Sequence, residues 1–484
     1  MTMDKQIRRL GLVLMALFVA LFLQLNNLQV VQADKLANAP GNTRNATRDF
    51  SRPRGIIQSA DGAVLARSVD VDTAFKRLRQ YPEHDLFGHI TGYFSFTFGG
   101  DGAERTFNDV LSGRDLGIRK LDDVLSDRVV TNDVTLTLTK RLQQVARDAL
   151  GNRKGSVVAL DPTNGAVLAM WSFPSFDPEP LAVHDQKSVQ ATWDRLNEHP
   201  DRPMLPRSYR RAYAPGSTFK VVTAAAALEQ APDLAAKAYP TLRVLDLPQT
   251  DKNLPNFGGS SCGGPLPQLL KVSCNTGFAQ LGLDLGAEKL ADQAYRFGFA
   301  AAPPVDLPAV AKSVFPEADT FKRNLPGLAQ SAIGQQDVSA TPLQMALVAA
   351  GIANGGSVMK PHVLAEVRDH QGEVVRRADA GEWRRVMSPE SAAALRDMMV
   401  GVVNGGTATR AAVPGVQVAA KTGTAQTTGD NSHAWIIAFA PAEAPRIAVA
   451  VVVESQPGLG DTVTGGRIAA PIAQAVLRAA LTGP

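Results

Sequence analysis

The segment at residues 215–228 constrains the fold of this chain more than any other. Pro215 and Gly216 break the chain, and residues 221–228 then form a continuous apolar run, which is typical of a helix buried on every side. We therefore predict a core helix over residues 217–230 that opens at Ser217. Lys220 follows three residues later, so the two side chains share one helix face, about 5–6 Å apart at Cβ.

A serine and a lysine in this arrangement can perform covalent catalysis. The lysine amine can remove the hydroxyl proton without a histidine, which points to acyl transfer. The first turn of a helix also offers unpaired N–H groups and a positive dipole end, which favour a developing oxyanion. The alternative is a serine N-cap followed by a solvated lysine.

The S-x-x-K pattern occurs a second time, from Ser357 to Lys360. This copy follows Gly355 and Gly356 and runs into Pro361, so it cannot open a stable helix. We predict a loop there and assign it no catalytic role.

Two further signatures follow the first, in the order Ser273-Cys274-Asn275 and Lys421-Thr422-Gly423. Lys220 must be neutral to act as a base, although the ordinary pKa of lysine is about 10.4. Burial lowers that pKa, and a second ammonium at Lys421 lowers it further, which explains two lysines in one site. The alternative for the last signature is an edge strand with a charged gatekeeper.

The same residue types suggest the other roles in the site. Ser273 suits a proton relay, and Asn275 can hold a substrate amide through its donor and its acceptor. Gly423 lets a substrate approach the strand edge and pair with it. The hydroxyls of Thr422 and Thr424 suit a substrate carboxylate. The backbone N–H groups of Ser217 and Thr424 would form the oxyanion hole.

Composition excludes several other function classes. The chain has 484 residues, is 45% hydrophobic and 20% charged, and carries a net charge of +4, which suits two or three globular domains. The charge is small, and no segment interleaves aromatics with arginines, so we expect no nucleic-acid partner. No phosphate loop and no H-E-x-x-H motif occurs, and the seven histidines are dispersed. We expect no metal and no cofactor.

The amino terminus predicts a membrane location. Residues 10–25 are almost wholly apolar and follow Lys5, Arg8 and Arg9. We predict a cytoplasmic tail at residues 1–9, an anchor at 10–31 and an extracytoplasmic remainder. A cleaved signal peptide stays open because the run is short, although Pro40 disfavours cleavage after Ala39. A buried soluble helix is the third alternative.

The chain has two cysteines, Cys262 and Cys274, and oxidising conditions prevail outside the membrane. Gly263, Gly264 and Pro265 let the chain turn back between them. A disulfide and two buried free thiols are both open interpretations.

The order of elements predicts an α+β fold. Residues 38–49 indicate a polar linker, Asp61-Gly62 marks a hairpin turn, and residues 111–127 resemble a charged loop. We therefore predict that residues 38–132 form a small structural pedestal without identified chemistry. From residue 133 onward, strands at both ends enclose helices, which predicts one largely antiparallel sheet with helices on its faces. The predicted strands are 134–138, 156–160, 166–170, 416–426, 435–440 and 446–453. The other predicted helices are 141–150, 266–284, 341–353, 389–403 and 467–481.

In these signatures the chain resembles a class B penicillin-binding protein, and the resemblance extends over about residues 50–455. The resemblance implies the penicillin-binding transpeptidase fold, with a helical subdomain, over residues 133–484. In the chain this domain follows a single transmembrane helix and the pedestal or dimerisation-like domain. The further matching stretches are Leu168-Ala169-Met170, Pro174-Ser175-Phe176-Asp177-Pro178, Tyr213-Ala214-Pro215-Gly216, Gly334-Gln335, Thr341-Pro342-Leu343-Gln344 and Gly406-Thr407-Ala408.

The resemblance also implies a reaction and partners. Such an enzyme is a serine-type D,D-transpeptidase that cross-links peptidoglycan stem peptides ending in D-Ala-D-Ala, with an acyl-enzyme at Ser217 and release of D-Ala. Beta-lactams mimic that terminus and trap the serine. The implied protein partners are a membrane glycan polymerase and other elongation or division proteins of the cell wall.

Three rival functions remain at this point. A D,D-carboxypeptidase or a serine beta-lactamase would use the same serine and lysine but transfer the acyl group to water. A non-enzymatic sensor or scaffold would need a cytoplasmic signalling part, and only about nine residues are predicted inside.

Overall fold

The computed structural model describes residues 3–32, 50–73, 75–114, 131–426, 432–455 and 464–482. The predicted linker at 38–49, the alternative cleavage site at 37–39 and most of the predicted charged loop lie outside these residues.

The amino-terminal helix spans Met3–Asn26 and continues as a π-helical turn over Asn27–Val31. Within Lys5–Val31, an 18-residue window has a mean hydropathy of 2.0, and none of that window is buried against the rest of the protein. An apolar helix of this length with no protein around it is suited to a bilayer.

The central sheet is antiparallel throughout and has five strands. Their order across the sheet is Ala419–Gln426, Ser432–Ala440, Ile447–Val453, Gly155–Leu160 and Val167–Phe173. Every residue of Ile447–Val453 and of Gly155–Leu160 is buried. Since alternate residues of a strand point to opposite faces, both faces of the sheet are covered there.

Helices from distant parts of the chain provide that cover. Pro342–Ala353 and Ala470–Thr482 pack on Ile447–Val453, while Lys140–Leu150 packs on Val167–Phe173. The α+β prediction is confirmed, as are the hairpins at 156–170 and 435–453 and the helices at 341–353 and 389–403. The remaining α-helices after residue 150 are Glu179–Ala182, Gln186–Glu198, Arg207–Arg210, Lys220–Gln230, Pro232–Ala236, Leu266–Lys271, Asn275–Leu285, Ala287–Arg296, Leu325–Ser331 and Pro389–Val403.

A second sheet, which we call the pedestal sheet, has six strands. Their order is Val374–Arg377, Leu364–Arg368, Asp133–Leu136, Ile57–Gln58, Val64–Asp70 and Arg77–Gln80. The predicted hairpin at Asp61-Gly62 joins two of them. Strands from beyond residue 132 therefore complete a sheet that begins in the pedestal, whereas the predicted boundary at 133 separates them. The short pedestal helices are Gly88–Thr91, Gly102–Thr106 and Asn108–Leu111.

Four two-stranded ladders complete the described strands. They pair Phe94–Ser95 with Gly99–Gly100, Tyr239–Leu242 with Cys262–Gly264, Val244–Asp246 with Asn253–Pro255, and Ser357–Met359 with Glu382–Arg385.

Three local predictions were wrong. The second S-x-x-K copy is not a loop, because Ser357–Met359 pairs with Glu382–Arg385 as a strand; it is still not helical. The helix predicted at 266–284 is broken into Leu266–Lys271 and Asn275–Leu285. The break occurs because Ser273 adopts a positive φ of 59°. The segment at Ser217 opens as a 3-10 turn, and the α-helix begins at Lys220.

Candidate active site

A tight turn, Gly216–Phe219, carries Ser217, and we call it the nucleophile turn. Gly216 has a φ of 52°, a conformation that favours glycine. Its N–H donates to the Gly334 carbonyl at 2.9 Å. A Cβ on Gly216 would lie 3.0 Å from the Thr424 carbonyl oxygen, so the turn lies directly against the strand of the third signature.

Lys220 opens a helix whose first eight residues are all buried. Its Nζ donates to the Ser273 carbonyl at 2.7 Å and to Asn275 Oδ1 at 2.7 Å, and it lies 3.4 Å from Ser273 Oγ. A neutral amine has two hydrogens, and the two near oxygens accept both. The lone pair of a neutral Lys220 is then free to accept a proton.

Lys421 approaches Ser273 from the central sheet. Its Nζ donates to Ser273 Oγ at 2.8 Å and to the Thr422 carbonyl at 2.8 Å. Ser273 Oγ thus lies between the two lysines, although Ser273 and Lys421 are 148 residues apart. The structure brings Lys220, Ser273, Asn275 and Lys421 into one hydrogen-bonded group.

Both lysines are fully buried, and this shifts their titration. Burial lowers the pKa of Lys220 well below its ordinary value, and the positive charge of Lys421 lowers it further. Burial lowers the pKa of Lys421 to about 7. A buried amine that loses its proton readily is suited to act as a general base.

Ser217 itself is partly exposed. Within the part of the chain that the structure describes, its hydroxyl makes no hydrogen bond, and a Ser217–Lys220 bond is not formed. Apo sites often have long catalytic hydrogen bonds that tighten only when substrate binds.

The third signature lies on an outer strand of the central sheet, Ala419–Gln426, and we call it the edge strand. The side chain that Gly423 lacks would point at the nucleophile turn, 2.9 Å from the Pro215 carbonyl and 3.1 Å from the Thr218 nitrogen. Gly423 is therefore needed for close packing of the turn, a reason that the sequence did not suggest.

Thr422 is buried, and its Oγ1 lies 2.5 Å from Oγ1 of Thr407. Thr407 belongs to the Gly406-Thr407-Ala408 stretch, to which we assigned no role. The hydroxyl that we predict to receive a substrate carboxylate is thus already oriented by a second threonine.

Cys262 and Cys274 form a disulfide across 12 positions of sequence. The disulfide links the strand Cys262–Gly264 to Cys274, the middle residue of the second signature. Asn256, which sequence analysis missed, lies beside the same segment. Its Oδ1 accepts the backbone N–H groups of Asn275 and Thr276 at 2.9 and 3.0 Å. No local motif marks it, because its partners are about twenty residues away.

In the described residues, no group of three histidine, cysteine, aspartate or glutamate side chains is arranged to hold a metal ion.

Comparison with known proteins agrees with this geometry. Residues 155–478 match the family model of the penicillin binding protein transpeptidase domain, and residues 54–132 match that of the penicillin binding protein A dimerisation domain. The chain is 40% identical over 503 residues to the peptidoglycan D,D-transpeptidase PbpA of Mycolicibacterium smegmatis, covering 99% of each. It is 39% identical to PbpA of Mycobacterium tuberculosis, covering 99% of this chain and 100% of the relative.

Solved structures give the same result for the fold. The ceftriaxone acyl-enzyme complex of penicillin-binding protein A from M. tuberculosis matches with a TM-score of 0.83 and 38% identity, over 90% of this chain and 100% of that one. Its penicillin G acyl-enzyme complex matches with a TM-score of 0.81 and 38% identity, over 89% and 100%. The predicted penicillin-binding fold is confirmed.

Proposed function

This chain belongs to the penicillin-binding protein family and is a serine-type peptidoglycan D,D-transpeptidase inhibited by beta-lactams, and we propose that Ser217 is its nucleophile. The observation that carries the assignment is the buried group around Lys220, one turn after Ser217. Lys220 Nζ donates hydrogen bonds to two acceptor oxygens, and burial lowers the pKa of Lys220. A neutral Lys220, three residues after Ser217, then has a lone pair that can accept the serine proton.

In the first step, Ser217 Oγ attacks the carbonyl carbon of the penultimate D-Ala while its proton passes to Lys220 Nζ. The negative charge develops on the carbonyl oxygen, toward the backbone N–H groups of Ser217 and Thr424. Close packing of Gly216 on Thr424 supports this oxyanion hole. Each such donor is worth about 2.7–4 kcal/mol in comparable sites.

Collapse of the tetrahedral intermediate breaks the peptide bond and releases the terminal D-Ala. The leaving amine needs a proton, and Ser273 Oγ lies where it can relay one from Lys220. Lys421 stabilises this relay by donating a hydrogen bond to Ser273 Oγ, and its positive charge lowers the pKa of Lys220. In the second step, an amine of a neighbouring stem peptide attacks the acyl carbon and gives up a proton; the bond from that carbon to Ser217 Oγ breaks, Oγ regains a proton, and the new amide is the cross-link.

Substrate binding falls to the residues around this group. Asn275 holds the peptide amide, Gly423 lies on the strand edge with which the peptide pairs, and Thr422 and Thr424 bind the terminal carboxylate. Beta-lactams occupy the same positions because they mimic D-Ala-D-Ala.

The apolar amino-terminal helix and family membership are consistent with membrane anchoring. We propose that the helix crosses once with residues 1–9 in the cytoplasm, because Lys5, Arg8 and Arg9 precede it. The catalytic domain is then extracytoplasmic. The proposed protein partners are a glycan polymerase and other cell-wall proteins of elongation or division, contacted through the anchor and the pedestal.

The test uses the full chain in detergent with a fluorescent penicillin. Ser217→Ala should abolish labelling, whereas Ser357→Ala, in the second copy of the motif, should not. The adduct should persist for hours, since a transpeptidase transfers its acyl group to an amine. Rapid loss would indicate a beta-lactamase, and labelling of Ser217→Ala at the wild-type rate would refute the assignment.

A further inference from the structure

The helix Asn275–Leu285 begins two residues after Ser273 and needs partners for its first backbone N–H groups. A serine, threonine, aspartate or asparagine at the N-cap usually provides one. Here the N-cap is Cys274, whose sulfur is bonded to Cys262 and whose side chain makes no cap.

Asn256 provides the missing cap from a distant part of the chain. Its Oδ1 accepts from the N–H groups of Asn275 and Thr276. Its Nδ2 donates to the carbonyls of Leu242 and Ser260, at 2.8 and 3.1 Å. Asn256 is 4% exposed, so water cannot replace these bonds easily.

The segment that this cap holds contains the two oxygens that lie nearest to Lys220 Nζ and accept hydrogen bonds from it. One is the carbonyl of Ser273, and the other is Oδ1 of Asn275. Ser273 has a positive φ, which is uncommon for residues other than glycine and persists only where its surroundings hold it. The side chain of Asn275 also donates to the Pro255 carbonyl at 3.2 Å, next to Asn256.

We propose that Asn256 is a positioning residue for acylation. It caps the helix of the second signature in place of Cys274 and so fixes Ser273 and Asn275 around Lys220, without touching the substrate. The inference rests on the proposed function, because it assumes that Lys220 is the base.

The experiment measures the second-order rate of labelling by fluorescent penicillin as a function of pH, together with thermal unfolding, on the full chain in detergent. Asn256→Ala should slow acylation about ten- to a hundredfold, as misplacement of catalytic groups by about 1 Å does. Its acid limb should move to higher pH, because a loosened segment admits water to Lys220 and returns its pKa toward the ordinary value.

Asn324→Ala is the matched control. Asn324 caps the helix Leu325–Ser331 with the same amide oxygen, which accepts from Gly327 N at 2.9 Å. This variant should lose thermal stability without a change in acylation rate or pH profile.

Asn256→Asp retains the capping oxygen and should acylate faster than Asn256→Ala. The proposal is overturned if Asn256→Ala differs from wild type only in thermal stability, as Asn324→Ala does. It is also overturned if a folded Asn256→Ala variant acylates as fast as Asn256→Asp. If Asn256→Ala fails to fold, the aspartate variant is compared with wild type, and acylation more than tenfold slower despite the retained capping oxygen overturns the proposal. Failure of the wild-type chain to label at Ser217 would instead refute the proposed function.

Discussion

The pedestal contains a buried carboxylate whose removal should lower the free energy of unfolding by several kcal/mol, about 3–5 for one buried pair. Glu104 is 0% exposed and accepts from Nε of Arg54 at 2.7 Å and from Nε of Arg79 at 2.6 Å. Tyr81 OH donates to it at 3.3 Å. Burial alone would raise the pKa of Glu104, but the charges of Arg79 and Arg54 outweigh it and hold that pKa below its ordinary value. We predict that Glu104→Gln destabilises the pedestal severely.

The magnitude follows from the burial of all three groups. Arg54 is 6% exposed and Arg79 is 3% exposed, so loss of the carboxylate leaves two guanidinium groups without a counter-charge and out of water. Breaking one buried pair costs about 3–5 kcal/mol. That is a large part of the roughly 5–15 kcal/mol by which native proteins are stable.

The assay is urea unfolding of the full chain in detergent, with hydrogen exchange of the amides in Gly102–Thr106 as the local readout. The triple variant Arg54→Met, Arg79→Met, Glu104→Leu is the control, because replacing a whole buried ion group by apolar residues is often neutral. It should be more stable than Glu104→Gln. A loss below about 1 kcal/mol in Glu104→Gln would contradict the reasoning, since that is the range of exposed ion pairs.

The same residue gives a pH dependence. The pKa of Glu104 is lower in the folded state, so its contribution to stability is present above the ordinary value of 4.5 and is lost as pH falls through the folded pKa. Glu104→Gln should lack this acid-dependent component. An unchanged acid unfolding curve would count against the role of the ion group.

Two further predictions concern the catalytic group. Lys421→Met should shift the acid limb of penicillin acylation to higher pH, because the charge that lowers the pKa of Lys220 is gone. The control is Lys360→Met, in the second motif copy, which should leave the acid limb in place. An unmoved limb in Lys421→Met would exclude an effect of the Lys421 charge on the pKa of Lys220. Reduction of Cys262–Cys274 should lower the free energy of unfolding by about 3 kcal/mol, as loop closure over 12 positions implies, and identical unfolding curves with and without reductant would exclude a stabilising disulfide.

The sequence predicted those parts of the fold that local patterns determine. Alternating apolar residues around turn signals predicted the hairpins of the central sheet, and the apolar run after Lys220 predicted the buried helix. The order of the three signatures predicted that Lys220, Ser273, Asn275 and Lys421 belong together. The disulfide between the two cysteines stayed open, because chain spacing alone does not decide whether two thiols meet.

The parts that were missed depend on partners far away in the chain. Nothing near Asn256 marks it as the cap of a helix twenty residues later, and Glu104 carries no motif that shows its two arginines. The break at Ser273 was missed because an apolar pattern continues on both sides of it. Ser357–Met359 became a strand because Glu382–Arg385 offers it a ladder, which its own glycine-rich context does not reveal.

The pedestal sheet has a consequence for chimeric proteins. Three of its six strands, Asp133–Leu136, Leu364–Arg368 and Val374–Arg377, come from the polypeptide beyond residue 132. A transplanted fragment that stopped at 132 would leave Ile57–Gln58 with an unpaired ladder, which is a template for aggregation. Any graft of this pedestal onto another enzyme must therefore bring Asp133–Leu136, which pairs with Ile57–Gln58, and the hairpin at 364–377, which pairs with Asp133–Leu136.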